Sequence, residues 1–596
     1  MRSRTHRDDG LASRARTFAW LVGALALMAM ATASGAEALT LSPLNGTPDA
    51  SPQTQISFLG ASASEISHVS VVGSRSGPHS GRLHAYASQT GASFVLKRGL
   101  EEGERVRVTA LVGRRGHTRR VGTSFATARP VGFALTASAK PLAAKAGTNQ
   151  SFASAPTLQP PTVSFSATTA AATGGDIFLT TDGGYGQNGA MILDTAGRLV
   201  WFQPAAKNDA VENLEEQTYL GRPVLTYWHG RIEFDVGFGS DTILGTDYRP
   251  LASVTAGNGY YADLHDLQLT PQGSAYLTAF SVVHADLSSV GGSRDGELLD
   301  AIVQQVDVRT GLVMFEWHAY GHVDLRGSYA APPTSSSRVW DFFHVNSVSP
   351  DPWGDGGVLV SSRNTWATYE LDPHTGAVLW RIGGRHPSFR MGAGTGTAYQ
   401  HDARWQPDRT ITIFDNGATP KAHAQSRAIR VRIDWRHRTV DLVDRLVRTP
   451  AVLSGSQGDS QVLDGDDVFV GWGETPYFTE FDGDGRIVLD GHLPPPAQVY
   501  RARRFAWSAT PAAPPAVGLR SAAAGTTVYA SWNGATGVAA WRVLAGATPA
   551  TLTAVAQAPS SGFETAIAAP SAGPVFVVQA LGAGGGVLGV SHAVSR

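Results

Sequence analysis

Three stretches of this chain each begin with a histidine and then run into a strand-like segment. They are His265-Asp-Leu-Gln-Leu-Thr-Pro, His344-Val-Asn-Ser-Val-Ser-Pro and His401-Asp-Ala-Arg-Trp-Gln-Pro. The histidine stands about six residues ahead of a proline turn in each copy, and a strand follows. Self-similarity of this kind marks a repeat architecture. When a repeat closes on itself, equivalent positions of successive units meet around one axis. Three histidines at one repeat position therefore predict a single shared site.

A second repeat, Asp-x-x-Gly followed by apolar residues, fills the same region. It occurs as Leu193-Asp-Thr-Ala-Gly-Arg-Leu-Val-Trp201 and as Val306-Asp-Val-Arg-Thr-Gly-Leu-Val-Met-Phe-Glu-Trp317. It recurs as Leu371-Asp-Pro-His-Thr-Gly-Ala-Val-Leu-Trp380 and Phe481-Asp-Gly-Asp-Gly-Arg-Ile-Val-Leu489. Each reads as two strands joined by an Asp/Gly turn, hence an outer hairpin. The histidine strand and this hairpin make one three- or four-stranded unit. The 57 residues from His344 to His401 suit one such unit, and the 79 from His265 to His344 suit one with an insertion. A block of about 350 residues divided by about 57 gives about six units, and a six-bladed β-propeller follows.

Around this block, at 161–510, the chain reads as three further structural segments. Residues 37–130 alternate apolar and polar positions between Gly and Pro turns, the pattern of a small immunoglobulin-like β-sandwich. Residues 131–160 are Ala, Ser, Thr, Lys and Pro with little periodicity, a linker. Residues 511–596 open Pro-Ala-Ala-Pro-Pro and continue in short β segments resembling a fibronectin type III sandwich. The expected fold class is all-β, in keeping with 67 glycines and a hydrophobic content of 42%.

Residues 1–36 read as a signal peptide. Arg2, Arg4, Arg7, Arg14 and Arg16 precede an apolar run from Phe18 to Ala31, and small residues follow. The run is short for a membrane span, so the expectation is export, with a retained N-terminal anchor as the alternative and no stable membrane insertion after cleavage. No cysteine is present, which excludes disulfides, zinc–thiolate sites, thiol catalysis and a lipoprotein anchor. A net charge of −1 offers no long-range field for nucleic acid.

In a propeller the innermost strands line the channel, and the loops beside them face one mouth. His265, His344 and His401 belong to that position. Asn346 follows His344 by two residues, which in an extended strand puts both side chains on one face. Arg363 ends the next strand. Imidazole serves as nucleophile, acid–base or metal ligand, and Arg with Asn suits an oxyanion such as sulfate or phosphate. Three histidines could instead hold zinc, but a nearby guanidinium opposes a cation.

These residues carry a resemblance. Ala262-Asp-Leu-His-Asp-Leu-Gln-Leu-Thr-Pro, Phe343-His-Val-Asn-Ser-Val, Val360-Ser-Ser-Arg, Gln400-His-Asp-Ala-Arg-Trp and Phe414-Asp-Asn-Gly resemble the arylsulfotransferase family, as do Ser289-Val-Gly-Gly and Trp380-Arg-Ile-Gly-Gly. The likeness covers about 170–490 and is closer to the divergent branch of actinobacteria, fungi and plants. It implies a six-bladed propeller that moves a sulfuryl group from an aryl sulfate to a phenol, ping-pong, through a sulfated histidine, with neither metal nor nucleotide cofactor. The nucleophile matches His401. The flanking histidines match His265 and His344, the amide Asn346 and the guanidinium Arg363. Either His265 or His344 then exchanges the proton with the phenol. The absent cysteines and the added terminal domains depart from the family's studied members and leave acceptor choice and a homodimer open. Two rival readings remain at this stage: a non-catalytic ligand-binding propeller, and a hydrolase with water as acceptor.

Overall fold

Each Asp/Gly segment, with two residues between Asp and Gly at Asp194 and Asp482 and three at Asp307 and Asp372, closes a hairpin by the same local device. The Asp carboxylate accepts backbone N–H bonds from the turn: Asp194 from Ala196 and Arg198, Asp307 from Thr310, Asp372 from His374, and Asp482 from Asp484 and Arg486. The glycines Gly197, Gly311, Gly376 and Gly485 take φ of 76°, 68°, 71° and 77°. This left-handed backbone costs Gly no Cβ clash. A register slip beside each turn, as between Ile192 and Leu193, marks a β-bulge that tightens the twist.

The computed structural model describes residues 39–596 except 115, 139, 170, 171, 173, 335–337, 355, 523, 524 and 570–572. The expected signal peptide at 1–36 lies outside the described residues. Between 164 and 505 the chain forms six successive sheets of four or five strands, antiparallel except for the short strands Trp340–Asp341 and Arg390–Met391, which pair in parallel. One edge strand of each is Ala210–Tyr219 (second sheet), Leu267–Leu269 (third), Val345–Pro350 (fourth), His401–Trp405 (fifth) and Asp459–Val462 (sixth). The first sheet takes its corresponding strand, Ala502–Phe505, from the far end of the chain, hydrogen-bonded to Asp176–Thr181. Ser164–Thr168 in turn adds a strand to the outer edge of the sixth sheet. Both ends of this segment are thus tied by backbone hydrogen bonds.

Strand residues alternate between two buried faces. Ile177 and Leu179 pack with Phe469, Phe478 and Leu489 of the sixth sheet, whereas Phe178 packs with Val211, Leu225 and Leu244 of the second. The same holds for Val224 and Ile243 with Leu277 and Ile302 between the second and third sheets, and for Val303 and Phe315 with Val348 and Val360 between the third and fourth. Leu359 and Trp380 meet Ile411 and Ile429 between the fourth and fifth, and Phe414 meets Val470 and Trp472 between the fifth and sixth. Each large side chain so buried contributes about 1.5–3 kcal/mol. The six shared cores form a closed cycle. The extra length between His265 and His344 lies in the two 12-residue strands Ser274–Ala285 and Gly296–Asp307 and in the segment that follows the third sheet.

On the N-terminal side two four-stranded sheets share one core of Ile56, Phe58, Phe94, Val71, Val106 and Val108. Ser57, Ser93 and Tyr86 all donate to the Val313 carbonyl of the third sheet. Residues 131–160 carry no regular strand among the described residues and are held by bonds such as Val131 N–H to Val282 O. On the C-terminal side two sheets enclose Val528, Trp541, Val543, Ile567, Phe576 and Val578, and Asn533 bonds both N–H and C=O of Phe202. Among the described residues no helix is long and apolar enough to cross a membrane.

Candidate functional site

Each of the six sheets supplies a residue, near the start of one edge strand or just before it, to a single cavity. In chain order these are Glu212, His265, His344, His401, Gln457 and Tyr500. The cavity has a volume of about 390 Å³, within the range of small-molecule sites. Local backbone aims these side chains. Asn213, His344, Asp402 and Gln457 take φ of 58°, 55°, 51° and 63°, and the strand register slips between Glu212 and Glu215 and between His401 and Arg404. A bulge at a strand start re-aims the side chain there, and a left-handed non-glycine residue costs of order 1–3 kcal/mol.

His401 is buried, and two backbone groups settle its tautomer. Nδ1 lies 3.0 Å from the Tyr399 carbonyl, which can only accept. The Gln457 N–H, which can only donate, points at Nε2 from 3.2 Å. Nδ1 therefore carries the proton, shared with Asn416 Oδ1 at 2.7 Å, and Nε2 presents its lone pair. Asn416 is fixed in that sense because its Nδ2 donates to the Gln457 carbonyl. Burial, then the positive Arg363 nearby, push the imidazole well below its ordinary pKa, so it is neutral at neutral pH.

The flanking histidines carry carboxylate partners. His265 Nδ1 is 2.7 Å from Asp263 Oδ2, and His344 Nδ1 bonds Asp341 Oδ2. Asp263 is itself held by Gly237 N–H and Thr278 Oγ1. Each carboxylate takes the Nδ1 proton and leaves Nε2 as the working nitrogen. Burial lowers the pKa of His265 in spite of Asp263. The His265 ring centroid lies 4.9 Å from that of His344 and 6.4 Å from that of His401. Arg363 shares the wall, with Nη1 donating to Asn364, Nη2 to the Gly455 carbonyl, and its guanidinium 5.1 Å from the Tyr399 ring centroid.

Asn346 stands elsewhere. The i, i+2 rule would put it on the face of His344, but His344 precedes the strand with positive φ and the register slips between Val345 and Ser347. Asn346 is fully buried, its Nδ2 donates to the Gln400 carbonyl at 2.8 Å, and it does not line the cavity. It braces the residue before His401.

Several cavity residues escape a reading of the repeat. Glu212 and Asp182 face the cavity together. Burial, then Asp182, hold the Glu212 carboxyl well above its usual range, and burial raises Asp182. Glu212, Gln457 and Tyr500 occupy the histidines' position with other chemistry. Among the edge-strand residues lies a buried ion network. Arg501 reaches Asp266, Asp402 and Asn213, Arg503 reaches Glu215, Asp402 and Asp459, and Arg404 reaches Asp266 and Asp402. It joins residues of all six sheets save the fourth by side chain, and the fourth through Arg501 Nη2 to the Asn346 carbonyl. Asp266 and Asp402, next to His265 and His401 in sequence, were the available signal.

Residues 215–493 match the family model described as arylsulfotransferase (ASST). No curated protein matches the chain. Among solved structures, a protein of unknown function from Bacteroides caccae aligns at 13% identity and TM-score 0.34, over 55% of this chain and 98% of its own. A quinonprotein alcohol dehydrogenase-like protein from Bacteroides thetaiotaomicron aligns at 9% and 0.25, over 78% and 96%. The soluble aldose sugar dehydrogenase of Escherichia coli aligns at 9% and 0.26, over 56% and 100%.

Proposed function

We propose that the protein is a nucleotide-independent aryl sulfotransferase working ping-pong through a sulfated His401, a reading supported by the match of residues 215–493 to the arylsulfotransferase family model. The six sheets are then the blades of a β-propeller, flanked by immunoglobulin-like and fibronectin type III-like sandwiches. The observation that carries the reading is the tautomer of His401. Its Nε2 lone pair faces a cavity whose wall also holds Arg363.

The steps follow from that geometry. An aryl sulfate enters with its sulfuryl oxygens toward Arg363, whose planar fork suits them. His401 Nε2 attacks sulfur, the N–S bond forms, and the S–O bond to the aryl group breaks with its electron pair leaving on the phenolate. The Gln457 N–H, displaced from Nε2, is placed to donate to a sulfuryl oxygen. The sulfated imidazole carries a cationic Nδ1–H, stabilised by Asn416 and the Tyr399 carbonyl. The phenolate departs and takes a proton from solvent, which the acceptor half-reaction returns. An acceptor phenol then loses its proton to Nε2 of His265 or His344, whose Asp partners steady the charge, and its oxygen attacks sulfur as the N–S bond breaks. Raised pKa values keep negative charge on Glu212 and Asp182 low beside an anionic donor. Asn346 acts at one remove, by holding Gln400.

The signal-like residues 1–36 support export, checked by sequencing the mature N-terminus. For the chemistry, the test is turnover of a chromogenic aryl sulfate with and without added phenol. Sustained phenol-dependent release, with the sulfate found on the acceptor and on His401 when acceptor is withheld, is expected. Release at equal rate without phenol makes the protein a hydrolase, and binding without release makes it a ligand-binding propeller.

A further inference from the structure

A second cluster of polar side chains lies apart from the cavity, where the N-terminal sandwich meets the third sheet. Asp49 comes from the segment between Thr40–Ser42 and Ile56–Leu59, Asp300 from Gly296–Asp307 and His318 from the end of Val313–His318. All three are buried, at 4%, 0% and 1% exposure, and one ligand-type atom of each lies within 4.8 Å of the others.

Two of the three are already oriented by neighbours. Asp300 Oδ1 accepts the Tyr320 N–H at 2.8 Å, which leaves Oδ2 facing His318 Nδ1. His318 Nε2 lies 3.1 Å from Glu316 Oε1, and Glu316 is itself held by Asn258 Nδ2 at 2.8 Å and by Gln304 Nε2. With Nε2–H bonded to a carboxylate, Nδ1 is the nitrogen available to a ligand. A carboxylate behind a histidine is the usual outer partner of a metal-bound imidazole.

Asp49 is the exception. Both of its carboxylate oxygens are buried without a hydrogen-bond partner. The group faces His318 Nδ1, 3.4 Å from Oδ1, and carries one more negative charge into a site that already holds Asp300 and Glu316. A buried carboxylate without a hydrogen bond is costly unless a positive charge stands beside it. Here that charge is either the His318 imidazolium, bonded to carboxylates through both nitrogens, or a metal ion in place of its Nδ1 proton. The 3.4 Å between Asp49 Oδ1 and His318 Nδ1 suits a cation, since two ligands about 2.0–2.1 Å from a tetrahedral ion stand about 3.4 Å apart. The Asp300 to His318 contact of 2.7 Å needs to open by about 0.7 Å when an ion replaces the shared proton.

We propose that Asp49, Asp300 and His318 bind one divalent transition-metal ion, of the class that takes a mixed imidazole–carboxylate set, such as zinc. The ion clamps the N-terminal sandwich to the third sheet. Glu316 orients His318, and binding releases the Nδ1 proton to solvent. The role is structural and independent of the sulfuryl chemistry.

The full chain, purified and dialysed without chelator, should retain about one equivalent of divalent metal by elemental analysis. Stripping with chelator should lower the melting temperature by several degrees, and added zinc should restore it. Asp49→Asn, which keeps the shape, should lose the retained metal and make melting insensitive to both chelator and zinc. Glu316→Gln should weaken zinc binding by about 10–100-fold. The proposal is overturned if the wild-type chain holds no metal and melts identically with zinc or chelator, since His318 alone then pairs the carboxylates. It is equally overturned if Asp49→Asn keeps the ion and His401→Ala loses it, since the ion then belongs to the cavity.

Discussion

Asn416 Oδ1 accepts the Nδ1–H bond of His401 at 2.7 Å, and this neutral amide stands where His265 and His344 each have a carboxylate. The difference sets the three imidazoles apart. At His265 and His344 the carboxylate accepts the Nδ1–H bond and leaves Nε2 turned to the cavity. An amide orients the ring without that charge, burial and Arg363 keep His401 neutral, and its Nε2 pair accepts the Gln457 N–H.

Asn416→Asp should convert His401 into a third His–Asp pair. A charge at this distance raises the imidazole pKa by roughly one to three pH units. In the native protein burial and Arg363 depress that pKa. The acid limb of kcat/KM for the donor, which reports the free enzyme, should therefore lie below the ordinary imidazole range and move to higher pH in the variant. A pH–rate profile unchanged by the substitution would show that His401 does not control the acid limb.

His401→Ala should abolish transfer, with kcat reduced at least about 10³-fold, on the scale seen when a nucleophile is removed. Circular dichroism and melting should remain near native, because the side chain borders a cavity. Near-normal turnover of a chromogenic aryl sulfate would remove the nucleophile assignment.

Arg363→Lys should lower kcat by about 10²–10³-fold, the range for loss of one preorganised donor at an oxyanion. A point charge cannot reproduce the planar fork. Steady-state kinetics with a good and a poor leaving group separate this effect from a change in fold.

Arg501→Met should destabilise the whole domain by about 3–5 kcal/mol, because it strands buried carboxylates. Arg501 is 3% exposed and bridges Asp266, Asp402 and the Asn346 carbonyl. Chemical denaturation with a single transition measures the loss. A change below about 1 kcal/mol would mean that the network contributes no net stability.

His401 also ties stability to pH. Its folded pKa is depressed, so the unfolded chain takes up the proton first as pH falls. Stability from this group is complete above the ordinary imidazole pKa and declines below it, down to the folded value. His401→Gln should flatten the melting temperature between neutral and mildly acidic pH, and an unchanged slope would place the effect elsewhere.

What was legible in the sequence is what short segments decide alone. The Asp-x-x-Gly hairpins need only an Asp to accept turn N–H groups and a Gly at positive φ, both within a few residues of each other. The three histidines are visible because one residue type recurs at one place in the repeat. Glu212, Gln457 and Tyr500 share that place and were not legible, because different side chains at an equivalent position leave no pattern of identity. The turning of Asn346 away from His344 depends on a backbone φ of 55°, which an i, i+2 rule assumes away. Arg501 meets Asp266 and Asp402 across distant stretches of chain, and Asp49 meets His318 from another pair of sheets. Local propensity and turn chemistry belong to the sequence. Which buried charges face each other is decided only when the sheets pack, because the low-dielectric interior makes each such pairing obligatory and the chain between the partners says nothing about it.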